Sequence, residues 1–226
     1  MAHFDSLLPL SRRDLEFIWL LTAGWDEVGL RPASLPTKRL FLLDTVGDPS
    51  QRLAVQLGAN AAGYQVIDVP AALPADRILP VVGEVADVFA VADDGDRSDA
   101  ILRQDQVPVV VVQRGGGGPL HVLGHLFRWY MAGHPLRGLR VVWEGAPTAT
   151  LTSWCEATGA IPLQVTQVGE RDHVDPALLA RLAGEGQQGQ FRRLRTVPVH
   201  DVEASEPLGV RTLACTIAAV LDHTQR

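Results

Sequence analysis

Val107–Gly145 reads VPVVVVQRGGGGPLHVLGHLFRWYMAGHPLRGLRVVWEG, and this stretch decides the fold. Val107 and Val109–Val112 form a β-branched run, too short for a helix and too apolar for a strand with one face in water. Gly115–Gly118 and Pro119 then break the chain. From Leu120 an apolar spacing resumes at helical period through Leu123, Phe127 and Met131, and it stops near Gly133. Leu139–Trp143 is a second buried strand, closed by Glu144 and Gly145. Strand, glycine loop, helix and strand make a βαβ unit, which implies a parallel sheet and a right-handed crossover. Ligands of such sheets sit at the carboxyl ends of the strands. The glycine loop and the turn after Trp143 are therefore the first places to look for a site.

The alternation continues outward on both sides. Ser11 caps a helix, with Asp14 placed to reach back to the cap and Leu15, Ile18, Trp19 and Leu21 following. Gly24 and the Gly29–Pro36 segment read as a loop. Arg39–Leu43 is a strand, Ser50 to about Ala62 a helix, and Gln65–Val69 a strand. After a proline-punctuated connection, Asp87–Ala92 is a third strand and Asp99–Arg103 a short helix before Val107–Val112. Beyond Trp143 the pattern predicts a helix over Thr148–Thr158, a strand over Leu163–Val168 and a helix over Asp175–Ala183. Gly184–Gly189 is a loop, Thr196–Val199 one more strand, and Gly209–Thr224 a closing amphipathic helix. Two α/β subdomains follow, residues 1–133 closed by the helix 209–224, and residues 134–208.

Composition narrows the function classes. In 226 residues, 46% are apolar, enough for a core, and no run reaches the length of a membrane span. The N-terminal residues show no basic leader followed by an apolar block, so a cytoplasmic protein is expected. A net charge of −6 argues against general nucleic-acid affinity. The richest basic patch, Arg192-Arg193-Leu194-Arg195, reads as a solvated turn. Cys155 and Cys215 fall in separate helical stretches and read as core thiols rather than a disulfide.

The order of these elements resembles the aspartate/ornithine carbamoyltransferase family over nearly the whole chain. Leu10-Ser11-Arg12-Arg13-Asp14-Leu15 is similar to that family's first helix, and Leu57–Asp68 to the end of its phosphate-loop helix and the next strand. Pro119–Arg128 resembles its HPxQxLxD helix, and Leu136–Gly145 its LKGLKxxxxGD entry into the second domain. Arg211-Thr212-Leu213 resembles the arginine helix that returns to the first domain. The resemblance implies two Rossmann-like subdomains with parallel sheets and a cleft between them, the second shortened chiefly between Arg171 and Val202. It also implies a homo-oligomer, a trimer in the family, and no cofactor.

The chemical motifs depart from the family. Its S-T-R-T-R turn, where backbone amides, hydroxyls and guanidinium groups converge on a phosphate, is here Gly47-Asp48-Pro49-Ser50-Gln51-Arg52. Pro49 removes an N–H and Asp48 adds a negative charge. The third-strand arginine falls at Ala92. The HPxQ histidine and glutamine fall at Gly118 and His121, and the aspartate of that helix at His125. Ser50, Arg52 and Arg211 remain as candidate anion-binding residues. Use of carbamoyl phosphate therefore looks impaired.

His121 and His125 stand four apart on one helix face. Such a pair can act in acid/base chemistry, bind zinc, line a pocket or simply face solvent. No third ligand lies nearby in sequence, so no metal is expected. The glycine run could bring a ligand against the backbone or serve as a connector; it lacks a P-loop's lysine and serine. Arg114 reaches either into the cleft or into solvent, and Glu144 ends a strand where an amine could be oriented. The expected function is a divergent enzyme of the carbamoyltransferase superfamily. It would act in the cleft on an amino-acid-like small molecule, with His121 and Glu144 catalytic and Ser50, Arg52, Arg114, His125 and Arg211 binding substrate or an anion such as carbamoyl phosphate. The alternative is a catalytically inactive homologue that binds a metabolite or a partner protein. Neither nucleic acid nor membrane is expected as a partner.

Overall fold

The computed structural model describes residues 3–33, 35–44, 47–70, 72–92, 95–114, 117–144, 146–168, 190–194, 202–203 and 208–224. Contacts divide the chain into two compact units. The first comprises Met1–Asp5, Ile18–Gly115 and Gly209–Arg226, and the second Ser6–Phe17 and Gly116–Leu208. The helix that ends before Gly133 groups with the second unit. Its apolar face is periodic whichever sheet it covers, so periodicity alone does not assign it.

The first unit carries a four-stranded sheet in the order β2-β1-β3-β4, from β1 (Lys38–Asp44), β2 (Tyr64–Asp68), β3 (Val88–Ala92) and β4 (Val109–Gln113). All pairings are parallel. The β3 and β4 side chains are buried throughout, as the apolar runs Val88–Ala92 and Val109–Val112 require, with Gln113 the buried polar exception. On one face Phe41, Leu43, Phe89, Val91 and Val109 form a core with Ile78 of α3 (Ala75–Val82) and Ile101 of α4 (Asp96–Leu102). Leaving β1, the chain adds β2 on one side and later β3 on the other. The switch in direction falls between β1 and β3, where ligands of open parallel sheets are held.

Helix α1 (Arg12–Val28) begins with the expected reciprocal cap. The Ser11 amide donates to Asp14 Oδ2 at 2.9 Å, and the Asp14 amide donates to Ser11 Oγ at 3.2 Å. The helix runs through Gly24 to Val28 instead of ending at the glycine. Burial of Leu15, Ile18, Trp19 and Thr22 outweighs the roughly 1 kcal/mol that a helical glycine costs. Helix α2 (Pro49–Ala61) packs on the last described helix, which we label α7 (Val210–Thr224). Their backbones approach so closely at Gly58 that a Cβ there would meet the Ala214 carbonyl oxygen.

The second unit has its own four-stranded sheet, β7-β6-β5-β8, again with parallel pairings: β5 (Arg140–Glu144), β6 (Gln164–Val168), β7 (Gln190–Leu194) and β8 (Val202–Glu203). Helix α5 (Pro119–Met131) buries Leu120, Val122, Leu123, Leu126 and Phe127. Helix α6 (Ala149–Ala157) buries Leu151, Trp154 and Cys155. The Glu156 carboxylate accepts the Leu7 amide at 2.9 Å, which fixes the N-terminal segment to α6. Arg192 and Arg193 lie in β7, paired with Thr166 and Gln167, and not in the expected turn. β7 stands at the sheet's edge, where charged side chains are tolerated and discourage further pairing. The helix expected at Asp175–Ala183, the Gly184–Gly189 loop, the Thr196–Val199 strand and Arg195 lie outside the described residues. Cys155 and Cys215 are free, buried thiols, as expected. No helix among the described residues is long and apolar enough to cross a membrane.

Candidate functional site

The carboxyl edge of the first unit's sheet is where the sequence placed an anion grip, and its geometry is built from carboxylates. Asp48 is the N-cap of α2, with extended backbone (φ −75°, ψ 110°), and its Oδ1 accepts the Ser50 amide at 2.8 Å. Pro49 occupies the first helical position, where its missing N–H costs nothing. The free amides and positive dipole end of α2 therefore face a carboxylate of the chain itself. Ser50 is exposed beside it. One turn on, Arg52 Nη2 lies 2.6 Å from Asp68 Oδ2 at the end of β2, and Nη1 lies 3.8 Å from Asp44 Oδ2 at the end of β1.

The other arginines are held in the same way. Arg114, just beyond β4, forms an ion pair with Asp99 in the first turn of α4. Arg211, at the start of α7, donates from Nε to Asp26 Oδ1 and from Nη2 to the Asp26 carbonyl, both at 2.6 Å. Arg52, Arg114 and Arg211 are each partly exposed, so an individual pair contributes at most about 1 kcal/mol. Collectively they leave each proposed cation facing an internal anion.

In the second unit the described part of the glycine run has a packing role. A Cβ on Gly117 would fall on Thr150 Oγ1 of α6, and Gly118 takes φ 147°, a conformation that favours glycine. The close approach at Gly117 is thus occupied by the protein's own threonine. Gly118 accepts the amides of His121 and Val122, opening α5. His121 is half-buried in that first turn. His125, 7% exposed, is drawn into the core with its ring 6.3 Å from Trp154, which in turn lies 5.9 Å from Trp129. Glu144 ends β5 in register with Val168 of β6. Ser50, Arg52, Arg114 and Arg211 therefore belong to one unit, and His121, His125 and Glu144 to the other.

Motif and spacing point to the cations but not to the carboxylates that hold them: Asp26, Asp44, Asp68 and Asp99. Asp44 and Asp68 each follow an apolar run as its last strand residue, a position that the carboxyl-end rule would have flagged. Nor does the sequence pattern point to Gln113, which ends β4 and is 8% exposed, with no hydrogen-bond partner for Oε1 among the described residues.

No protein-family model and no curated protein sequence matches the chain. Its likeness is to solved structures. It is similar to the anabolic ornithine carbamoyltransferase of Campylobacter jejuni, with a TM-score of 0.75 and 13% identity over 87% of this chain and 68% of that one. It is similar also to the ornithine carbamoyltransferase of Gloeobacter violaceus, with a TM-score of 0.76 and 17% identity over 97% and 98% of the two chains. A third is the aspartate transcarbamoylase of Trypanosoma cruzi solved with N-(phosphonacetyl)-L-aspartic acid, at a TM-score of 0.68 and 17% identity over 87% and 70%. Identities this low define the fold alone. The chain has the carbamoyltransferase fold, and the uncovered part of the Campylobacter and Trypanosoma chains fits a shortened second lobe.

Proposed function

We propose that this chain is a metabolite-binding protein on the carbamoyltransferase fold, which takes an amino-acid-like small molecule and does not use carbamoyl phosphate. One observation carries the proposal. The N-terminus of α2, where a phosphate would bind through free amides, is capped by Asp48, and Arg52 beside it is paired with Asp68. A phosphate entering there would have to displace a carboxylate that is covalently part of the site, against like-charge repulsion. Solved neighbours bear amino-acid substrates in their names, and one was crystallised with a phosphonacetyl aspartate. That supports the amino-acid-like half of the proposal. His121 and Glu144 are kept in it as polar contacts to the ligand, and a homo-oligomeric assembly is included, to be measured by light scattering.

The test is calorimetric titration with carbamoyl phosphate, inorganic phosphate, ornithine and aspartate. The parent chain should bind neither phosphate compound. Asp48→Ser, which keeps a capping oxygen and removes the charge, should gain phosphate binding while losing no more than about 1 kcal/mol of stability. Sub-millimolar binding of carbamoyl phosphate by the parent would overturn the proposal.

A further inference from the structure

The carboxyl edge of the first unit's sheet carries two acceptors short of close partners among the described residues. The first is Asp44, whose side chain is 6% exposed. Its Oδ1 takes the Gly47 amide at 2.9 Å, and among the described residues the cation nearest Oδ2 is Arg52, at 3.8 Å. That guanidinium sits much closer to Asp68. A carboxylate so withdrawn from water is costly without a close cation. The second is Gln113, more than nine-tenths buried, whose Oε1 has no hydrogen-bond partner among the described residues. A buried amide oxygen left unpaired costs the desolvation of that group.

Register brings the two to one level. Asp44 pairs with Ala92, and Ala92 pairs with Gln113. Laterally aligned residues of parallel strands project from the same face, so Asp44 and Gln113 flank Ala92 at the end of the sheet. The alignment depends on an irregularity: between Val91 and Ala92 the β3–β4 register shifts, setting Gln113 rather than Val112 against Ala92. Bulges of this kind re-aim a side chain and are enriched beside functional sites. Ala92 is small, and the backbones of β1 and β4 are on the order of 10 Å apart across it. The location is the switch point between β1 and β3, where open parallel sheets hold ligands.

Charge decides what would fit. Asp44, Asp48, Asp68, Asp96 and Asp99 stand along this edge with Arg52, Arg97 and Arg114, so carboxylates outnumber guanidinium groups there among the described residues. The excess is negative, and both unmet groups accept hydrogen bonds. We infer that this edge is a subsite for a primary ammonium group, held between the Asp44 carboxylate and the Gln113 amide oxygen over Ala92. It rests on the proposed function, since an amino-acid-like ligand carries such a group, and it names where that group binds.

The probe is 1,4-diaminobutane, which has ammonium groups and no carboxylate, titrated calorimetrically into the full chain alongside inorganic phosphate. Saturable binding of the diamine, weakened at least about tenfold by Gln113→Leu and by Asp44→Asn, is expected. Gln113→Leu should melt no lower than the parent, because it removes an unpaired buried acceptor; it carries the test even if Asp44→Asn fails to fold. No saturable binding in the millimolar range, or binding that the folded variants retain, overturns the inference and leaves the proposed function standing. Phosphate binding by the parent would instead sink the proposed function, a separate result.

Discussion

Cys155 and Cys215 illustrate how single residues of this chain respond to burial. Desolvation lifts the Cys155 thiol from 9.0 to about 12, with the neighbouring Glu156 carboxylate adding to the rise. Cys215 is pushed up to about 11 by burial and by Asp26, against a lowering from Arg211. Burial also raises the Tyr64 hydroxyl, with Asp87 and Asp222 contributing. All three are neutral when protonated, so the native state keeps protons that the unfolded chain releases on the alkaline side. Stability from this source is complete below the unfolded thiol value near 9 and falls as pH rises toward the folded values. The urea midpoint should therefore be flat up to about pH 9 and drop above it, and the drop should shrink in the Cys155→Ala, Cys215→Ala double variant. A midpoint indifferent to pH over that range would contradict the assignment. At this scale local pairs are legible: Ser11 with Asp14 is a short-range pattern, and it forms. The partners of Arg52 were not legible. Asp44 and Asp68 become neighbours only because β1 and β2 lie side by side.

Between elements, the contact of α2 with α7 is set by glycine. A methyl at Gly58 would run into the Ala214 carbonyl and sit 3.1 Å from the Ile217 Cβ, so neither helix can yield without moving backbone. Gly58→Ala should destabilise the protein by about 1–3 kcal/mol in urea denaturation. Gly24→Ala, on an exposed helical position with nothing within 4 Å, should stabilise it by about 0.5–1 kcal/mol. Equal effects at the two sites would show that close helix approach is not what Gly58 provides. The buried strands were readable because β-branched runs between turn residues admit few other structures; β3 and β4 emerged within two residues of their expected limits. β7 was hidden because three charged or polar residues in QFRRL mimic a turn, and only pairing with β6 makes the segment a strand. The Asp48 cap was half legible: its charge was evident, but its bond to the Ser50 amide needed the helix start to be known.

At the level of the whole molecule, strand–helix alternation announced two parallel α/β lobes, and both are present. The extent of each was harder to read, because α5 shows the same apolar stripe whichever sheet it covers. The first unit is discontinuous in sequence: α7 returns to it after the second unit and buries Leu213, Ile217, Val220 and Leu221. Ending the chain at Leu208 should therefore expose the first sheet, and hydrogen exchange should find the β1 and β3 amides without protection. Protection equal to that of the full chain would mean α7 is dispensable. Proteins generally mature on the ribosome in the order of their domains, amino-terminal first. Here that order cannot hold, because the segment that seals the earlier lobe is translated after the later one. A nascent chain stalled before Val210 would emerge with its leading sheet still unsealed and in need of a chaperone's cover.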